Sequence, residues 1–517
     1  MSINLSLSSA FSSQAYTLDI STASIVELKQ ALRKKRLTCE QIVKYYLARI
    51  EQYDANGPKI NSIVELNENA INEAISWDKT GDKSLPLGGI PFLVKDNFNV
   101  KGMANAAGSI ALLDNIAKYN ATLVQLLLDN GAIFLGRTNM SELAASFGKF
   151  GYSSRAGQTL NPLNLERDPS GSSSGSSAAV AAGFCAFALG TDTSGSVRGP
   201  ATVTGLVGYR PSMGMLSRHG ILPLALSADT AGPLVRNVDD LAIVMDVLSQ
   251  KDPADSASAF YYAAHPQPQF VKALEQAELT KLKLGFVTNF NGGNPEVDNV
   301  MLQSVEKLKR HGVDVENIRL PEPFEHINDC ILKPMFMGEF KPQFESHLTS
   351  NQTQKSLKDV VSILSSLQAD KRLTAVNPGR LLALKNNLET NNTDCADYIV
   401  IQNRIIPGLR NQLDKIMNDR QFDGLIFATR SCPAAPLPGI LDPNFECHAQ
   451  DMMAAGYIAA ALGLPEITVP AGLAKGNMPI SLSFMGRFGQ DEALFQFGKL
   501  FESIANFSVR TVLPCCH

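Results

Sequence analysis

Short apolar runs with the features of buried strands occur on both sides of a long segment that has none. "GGIPFLVKDNFNV", "IFLGRTN" and "KLKLGFVTN" lie before the segment 321–420, and "FDGLIFAT" and "LPEITVPAG" follow it. Amphipathic helical patterns alternate with these runs, which is the arrangement of α/β proteins. The pattern therefore predicts an α/β fold in which one sheet takes strands from both parts of the chain.

The same pattern predicts one domain that spans residues 1–517. Residues 24–52 place apolar side chains at helical spacing, and Thr38 stands at the offset of a capping box, so helices open the fold. We divide the domain into N-terminal helices at 1–80, a core at 85–250, a helical cover or insertion at 321–420 and a completion of the sheet at 421–517.

The charge balance argues against two classes of partner. The 517 residues include 46 Lys and Arg against 50 Asp and Glu, which leaves a net charge of -4. Nucleic acids and anionic membranes attract basic surfaces, so neither partner is expected. The apolar run at 178–190 is too short to cross a bilayer and predicts a buried helix. The N-terminus also lacks the basic region of a signal peptide.

The eight cysteines are spread along the chain without the spacing of a zinc site. Reduced thiols in a cytoplasmic compartment are therefore expected. The tail "CCH" at 515–517 has metal-ligating residue types, but a frayed terminus is the simpler interpretation. The sequence predicts no metal and no cofactor.

Residues 168–183, "DPSGSSSGSSAAVAAG", allow more than one interpretation. Gly/Ser-rich composition favours a flexible linker. "GSSSG" at 171–175 matches G-x-S-x-G with Ser173 as nucleophile, although the buried strand that should precede a nucleophile elbow is missing. Two matches to S-x-x-K, at 146–149 and 304–307, resemble the nucleophile motif of another class of serine enzymes. In that class S-D-N and then K-T-G follow the nucleophile, whereas here the KTG at 79–81 precedes both matches and no S-D-N lies between.

Two further features point to chemistry near this stretch. Lys95 ends an apolar run, where burial would disfavour the ammonium and lower its pKa. "GTDTSGS" at 190–196 offers successive backbone N–H groups that an oxyanion hole requires. His219 is the histidine nearest to these loops, and a loop histidine outside the site is favoured over an imidazole base.

Several motifs together resemble the amidase signature hydrolases. They are "GGIPFLVKDNFNVKGM", "GAIFLGRTNMSELA", "DPSGSSSGSSAAVAAGFCAFALGTDTSGSVRGPA" and "SADTAGPLVRNVDDLA", in that order, followed near the C-terminus by "GLPEITVPAG" and "PISLSFMGR". The resemblance is strong from about residue 87 to 248 and weaker from about 451 to 500. It implies a large mixed β-sheet covered by helices on both faces.

The resemblance also implies a Ser–cis-Ser–Lys triad. Lys95 matches the family's lysine, Ser172 the bridging serine and Ser196 the nucleophile. Backbone N–H groups of Thr193, Ser194, Gly195 and Ser196 would form the oxyanion hole. Serines replace three of the family's glycines, at Ser170, Ser174 and Ser194, and the flanking charged residues Asp192 and Arg198 are expected to hold the loop in place.

The function implied is that of a serine amidase that cuts a carboxamide through an acyl-enzyme. "GQTLNP", "SRHGILP" and "SADTAGP" look closer to the peptide amidase branch, which removes C-terminal carboxamides from peptides. The glutaminase subunit of a tRNA-dependent amidotransferase and an inactive scaffold of the same fold are the alternatives. The expected partner is a small amide or peptide amide, and a homodimer is compatible with the family.

Overall fold

The computed structural model describes residues 18–276, 282–369, 376–389, 396–509 and 513. Eleven of the thirteen strands in these residues form one sheet, and β4 and β5 form a separate pair. The strands are β1 (Ile63–Leu66), β2 (Pro91–Lys95), β3 (Ile133–Thr138), β4 (Tyr152–Ser153), β5 (Gly157–Gln158), β6 (Phe187–Asp192), β7 (Val207–Arg210), β8 (Thr230–Val235), β9 (Lys283–Val287), β10 (Asp314–Ile318), β11 (Gly424–Ala428), β12 (Glu466–Ala474) and β13 (Met478–Met485).

The large sheet is mixed and takes strands from both parts of the chain, as the sequence predicts. Its order is β1-β3-β2-β6-β8-β7-β12-β13-β11-β9-β10. β2 runs parallel to β3 and β6, whereas β8 is antiparallel to both β6 and β7. Because β2 and β6 are parallel neighbours, Lys95 and Asp192 end at the same edge of the sheet, where open α/β folds place their ligands.

Helices flank this sheet, and the first two begin as the sequence predicts. Thr38 and Gln41 form the predicted capping box, with each side chain bonded to the backbone N–H of the other. The α-helices are α1 (Ile25–Arg33), α2 (Cys39–Arg49), α3 (Ala70–Thr80), α4 (Thr122–Asp129), α5 (Ser174–Ala181), α6 (Arg198–Thr204), α7 (Val238–Leu248), α8 (Ser256–Ala264), α9 (Phe270–Glu275), α10 (Pro295–Arg310), α11 (Lys333–Ser350), α12 (Leu357–Ala369), α13 (Pro378–Glu389), α14 (Ala396–Val400), α15 (Ile406–Arg420), α16 (Gly456–Leu462) and α17 (Asp491–Ala505).

Both faces of the sheet are covered. In β11, Ile426 belongs to a core that includes side chains of α10 and α17, whereas its neighbours Leu425 and Phe427 belong to a second core with α15 and α16. Successive side chains of a strand point to opposite faces. The sheet therefore separates two apolar cores, which confirms the expected architecture.

The small-residue run after the serines is only in part the predicted buried helix. α5 ends at Ala181, and Gly183 takes a left-handed conformation with φ of +71°. β6 then begins at Phe187, so the prediction of a helix over 178–190 is wrong in its second half. The apolar composition suited a buried strand as well as a buried helix, and the glycine decides where one ends.

The expected helical cover at 321–420 is present. Its described residues contain α11 to α15 and no strand, and α11, α12 and α13 contribute to an apolar cluster that also includes Met140 and Leu143. The cover thus packs on a loop of the core beside β3. The assignment of the whole chain to a single domain stays a prediction.

One expectation about cysteines is wrong. Cys432 and Cys447 form a disulfide, with their Cα atoms 5.6 Å apart, although the sequence suggested reduced thiols. The fold brings together two cysteines whose spacing gives no such signal, and the disulfide removes the basis on which a cytoplasmic compartment was expected. The "CCH" tail at 515–517 lies outside the described residues.

No helix in the described ranges has both the length and the apolar character needed to span a membrane.

Candidate active site

Lys95 lies at the carboxyl end of β2 and is fully buried. Its Nζ is 2.8 Å from Ser172 Oγ, 3.0 Å from Ser173 Oγ and 2.7 Å from Thr191 Oγ1. These three partners are uncharged hydroxyl groups. A neutral amine can exchange hydrogen bonds with such groups, whereas a buried ammonium would need a carboxylate to offset its lost hydration.

The electrostatics of this pocket favour the neutral amine. Burial lowers the pKa of Lys95 to about 7, although the carboxylates of Asp192 and Asp229 act in the opposite direction. A large fraction of the side chain is then unprotonated at neutral pH. The lysine has the protonation behaviour that the sequence analysis expected of a general base.

Ser172 lies in a tightly packed loop next to Lys95. The peptide bond between Gly171 and Ser172 is cis, and the carbonyl of Ser172 accepts a hydrogen bond from the N–H of Ser141 at 3.1 Å. A Cβ atom at Gly171 would lie 2.4 Å from Ser141 Oγ, so any larger residue before the bridging serine would force the Ser141 side chain to move. The serine-rich stretch is therefore an ordered part of the site, and the linker interpretation is wrong.

The substitutions of family glycines have different local consequences. Ser170 has a positive φ of +57°, which costs about 1–2 kcal/mol for a residue with a Cβ atom, and its N–H donates to Asp168 Oδ1 at 2.7 Å. Ser174 starts α5, and Ser194 does not have a positive φ. The strain that a serine could bring to the nucleophile loop is therefore absent at Ser194.

Ser173, the central serine of the G-x-S-x-G match, is an unsuitable nucleophile. It is completely buried, and its Oγ donates to the carbonyl of Thr191 and lies within hydrogen-bond distance of Lys95. Ser196 is 8% exposed, compared with 1% for Ser172 and 0% for Ser173. The N–H of Ser173 donates to the carbonyl of Ser196 at 3.2 Å, so the two serine loops adjoin.

The expected oxyanion hole needs one correction. The N–H of Gly195 donates to Asp192 Oδ1 at 2.9 Å, so this amide is already occupied. In the part of the chain that the structure describes, no acceptor pairs with the amides of Thr193, Ser194 or Ser196. Three of the four expected donors are therefore available, and Gly195 instead provides the backbone turn, with φ of +110°.

A buried charge network holds this loop, as expected for Asp192 and Arg198. Asp192 accepts hydrogen bonds from the guanidinium groups of Arg198 and Arg210 at 2.9 and 3.0 Å, and Arg198 also pairs with Glu466. Burial alone would raise the pKa of Asp192, but the two arginines hold it well below its usual range. All four side chains are inaccessible to solvent, so they position the loop without contacting substrate.

Asp229 is a site residue that the sequence analysis did not single out, although it lies in the quoted motif "SADTAGP". Its Oδ1 accepts a hydrogen bond from Thr193 Oγ1 at 2.6 Å, and its Oδ2 accepts the N–H groups of Leu224 and Ala225. Burial raises the pKa of Asp229 to about 6. The carboxylate ties the first residue of the oxyanion loop to the chain segment at 224–225.

A small cavity adjoins this loop. Thr193 and Asn97 line it together with apolar side chains that include Ala144, Leu222 and Leu224. Asn97 Nδ2 donates to the carbonyl of Leu222 at 3.3 Å, while its buried Oδ1 receives no hydrogen bond from the described residues. The lining is mixed, since the charged residues Arg218 and Asp229 also belong to it.

His219 does not take part in the hydrogen bonds around Lys95. Its ring stacks on Tyr119, with 5.0 Å between ring centroids, and the backbone N–H of His219 donates to Ser217 Oγ. Lys149, the lysine of one S-x-x-K match, lies over the ring of Tyr152. The structure therefore supports neither His219 as the base nor a catalytic role for the S-x-x-K match at 146–149. In the described residues no cluster of side chains has the composition of a metal site.

The geometry can be compared with known proteins. The family model described as Amidase matches residues 41–495. The chain belongs to the amidase family. It is 30% identical over 494 residues to a glutamyl-tRNA(Gln) amidotransferase subunit from Methanosarcina mazei, covering 94% of this chain and 98% of the relative. Mandelamide hydrolase of Pseudomonas putida is 30% identical over 501 residues, covering 93% and 91%.

A solved amidase structure has the same fold. Native peptide amidase from Stenotrophomonas maltophilia superposes with a TM-score of 0.84 at 30% identity, covering 95% of this chain and 98% of that one. The 11-stranded sheet and its helices are thus those of an amidase signature protein. The amidase is an amide-hydrolysing enzyme, as expected from the sequence motifs.

Proposed function

We propose that this amidase cleaves a carboxamide with Ser196 as nucleophile, Ser172 as proton relay and Lys95 as general base. The observation that carries the proposal is the 2.8 Å contact between Lys95 Nζ and Ser172 Oγ inside a fully buried pocket. A lysine with a pKa of about 7 is able to accept a proton at neutral pH. No histidine is needed for this relay.

In the reaction that we propose, the three residues act in turn. Lys95 accepts a proton from Ser172 while Ser172 accepts one from Ser196, and Ser196 Oγ attacks the amide carbonyl carbon. The amides of Thr193, Ser194 and Ser196 stabilise the oxyanion, with each donor worth about 3–4 kcal/mol in a comparable hydrolase. The proton returns through Ser172 to the leaving amine. Water then hydrolyses the acyl-enzyme by the same relay.

The substrate that we propose is a peptide with a C-terminal carboxamide. Similarity to peptide amidase over almost the whole chain supports this class. A panel of peptide amides, aryl amides, fatty amides and glutamine would test the substrate class. Glutamine as the sole substrate would contradict it.

The relatives named as glutamyl-tRNA(Gln) amidotransferase subunits make glutaminase activity the second candidate. That function would need a partner protein. Isolation of the full chain from its native cell, followed by size-exclusion chromatography, separates the two functions. A free chain that hydrolyses peptide amides agrees with the proposal, whereas a stoichiometric second protein together with glutaminase activity favours the alternative.

The nucleophile can be identified directly with a fluorophosphonate probe and peptide mapping by mass spectrometry. The adduct is expected on Ser196, and Ser196→Ala should abolish labelling. Ser173→Ala is the matched control, because it removes a serine hydroxyl beside Lys95 and leaves Ser196 in place. An adduct on Ser173, or no adduct on the folded chain, would refute the assignment of the nucleophile.

A further inference from the structure

Three residues without glycine's freedom have a left-handed backbone close to the proposed active site. The φ angles are +51° at Leu143, +60° at Ala144 and +42° at Phe147. In this conformation the Cβ atom crowds the following carbonyl, so surrounding contacts must hold it. We call residues 141–147 the left-handed segment. Such a cluster raises the question of which side chains hold it in place.

The left-handed segment contacts the site at two points. At its start, the N–H of Ser141 donates to the carbonyl of the proposed relay serine, Ser172, at 3.1 Å. In its middle, Ala144 lines the same cavity as Thr193. A shift of this segment would therefore change both the position of Ser172 and the shape of the cavity.

The N-terminal end of α13, in the helical cover, holds the segment from the other side. Arg380 is buried, and its Nη2 donates to the carbonyl of Leu143 at 3.0 Å. Its guanidinium also lies over the rings of Phe147 and Phe340, at 5.5 and 4.9 Å from their centroids. Asn377 Nδ2 adds a hydrogen bond to the carbonyl of Ser146 at 2.7 Å.

We propose that Arg380 is a positioning residue for amide hydrolysis, which holds the left-handed segment so that Ser141 fixes Ser172 and Ala144 shapes the cavity. A planar guanidinium can donate in its plane while aromatic rings contact its faces, which a lysine cannot do equally well. This inference rests on the proposed function. It gives the helical cover a role in catalysis that the sequence alone did not indicate.

The cover offers a matched control for a purely structural role. Arg410 in α15 also donates to a backbone carbonyl, that of Leu462, at 2.6 Å and lies over a ring, that of Phe488. Its contacts are with α16 and the residues after β13, not with the left-handed segment. Arg380→Met and Arg410→Met therefore remove similar interactions from two places in the cover.

Steady-state kinetics with a peptide amide are the first test. Arg380→Met should lower kcat/KM by roughly 10- to 100-fold, mainly through kcat, because misplacement of reacting groups has effects of this size. Arg410→Met should stay within about twofold of wild type, since it leaves the reacting groups in place. Arg380→Lys, which keeps the charge and a donor, should fall between them and covers the case in which methionine prevents folding. Equal kinetics for Arg380→Met and Arg410→Met would overturn the inference.

A double-mutant cycle tests the mechanism of this effect. Glycine takes a left-handed backbone without crowding, so Ala144→Gly should make the segment less dependent on Arg380. The loss caused by Arg380→Met should therefore be several-fold smaller in the Ala144→Gly background than in wild type. Identical losses in the two backgrounds would show that Arg380 does not act by holding the left-handed backbone.

Hydrogen exchange separates this inference from the proposed function, because it does not depend on activity. Amide exchange at residues 143–145 should become faster in Arg380→Met and remain at the wild-type rate in Arg410→Met. Unchanged exchange in Arg380→Met would overturn the inference even if the enzyme is active. Absence of amide hydrolysis and probe labelling in wild type, with the expected exchange, would instead refute the proposed function.

Discussion

Two buried charged regions adjoin at the carboxyl end of β6, and they respond to burial in opposite ways. In the nucleophile loop, Asp192 is paired with Arg198 and Arg210, so its charge is kept. One strand away, Lys95 is equally buried but has hydroxyl groups as its closest partners. The first region holds the pKa of Asp192 well below its usual range, whereas the second lowers the pKa of its lysine to about 7.

This difference assigns separate tasks to the two regions. Paired buried charges fix geometry, because removal of either partner leaves the other without compensation. A buried lysine without a directly paired carboxylate is instead able to lose its proton, and this makes it useful as a base. The comparison predicts that mutations in one region mainly affect stability and that mutations in the other mainly affect turnover.

The largest effect is expected for Lys95→Met. Methionine fills the buried volume but cannot accept a proton, so kcat for a peptide amide should fall by about 10³-fold. Circular dichroism and thermal unfolding should show a folded protein. Lys29→Met is the control, because Lys29 bonds to the carbonyls of Leu85 and Pro86 on another part of the fold. Wild-type turnover in Lys95→Met would reassign the base.

Arg198→Met tests the paired region. The change leaves Asp192 and Glu466 without one of their guanidinium partners, so the free energy of unfolding should fall by about 3–5 kcal/mol. Chemical denaturation measures this difference. Arg420→Met is the matched control, since it breaks an exposed pair with Glu316 and should cost at most about 1 kcal/mol. Equal losses in the two variants would remove the distinction between the regions.

Asp229→Asn should have the smallest effect on activity. It tests whether a carboxylate that is bonded to the nucleophile loop influences the pKa of the base in the neighbouring region. The Asp229 carboxylate raises the pKa of Lys95 against the larger effect of burial, so its neutral replacement should move the acid limb of kcat/KM to lower pH. The asparagine oxygen can still accept the N–H groups of Leu224 and Ala225, while the Thr193 hydroxyl accepts from the asparagine Nδ2. Asp240→Asn is the control, because this buried aspartate bonds to the N–H of Ile25 at the start of α1. An unmoved limb in Asp229→Asn would show that the carboxylate does not influence the base.

The sequence predicts local features of this site better than contacts between distant segments. β2, its terminal Lys95 and the capping box at Thr38 follow from short patterns whose physical basis is local. The family resemblance adds Ser172 and Ser196, which no local rule separates from the neighbouring Ser173. The cover was predicted as helical, but its contact with Leu143 through Arg380 spans 237 positions and leaves no periodic signal.

The corrections have the same physical origin. Gly195 was expected to donate to an oxyanion, but the folded loop directs its N–H to Asp192. Cys432 and Cys447 meet only because the chain after β11 folds back on itself. Each correction depends on where a second segment lies, and a pattern in one segment does not contain that information.

The pH dependence of kcat/KM for a peptide amide tests the central claim most directly. Because Lys95 must be neutral to accept a proton, kcat/KM should rise with pH through an acid limb near its pKa of about 7 and then reach a plateau. The limb should be absent from the residual activity of Lys95→Met. A profile that is flat from about pH 5 to about pH 9, or a limb that Lys95→Met retains, would contradict the account.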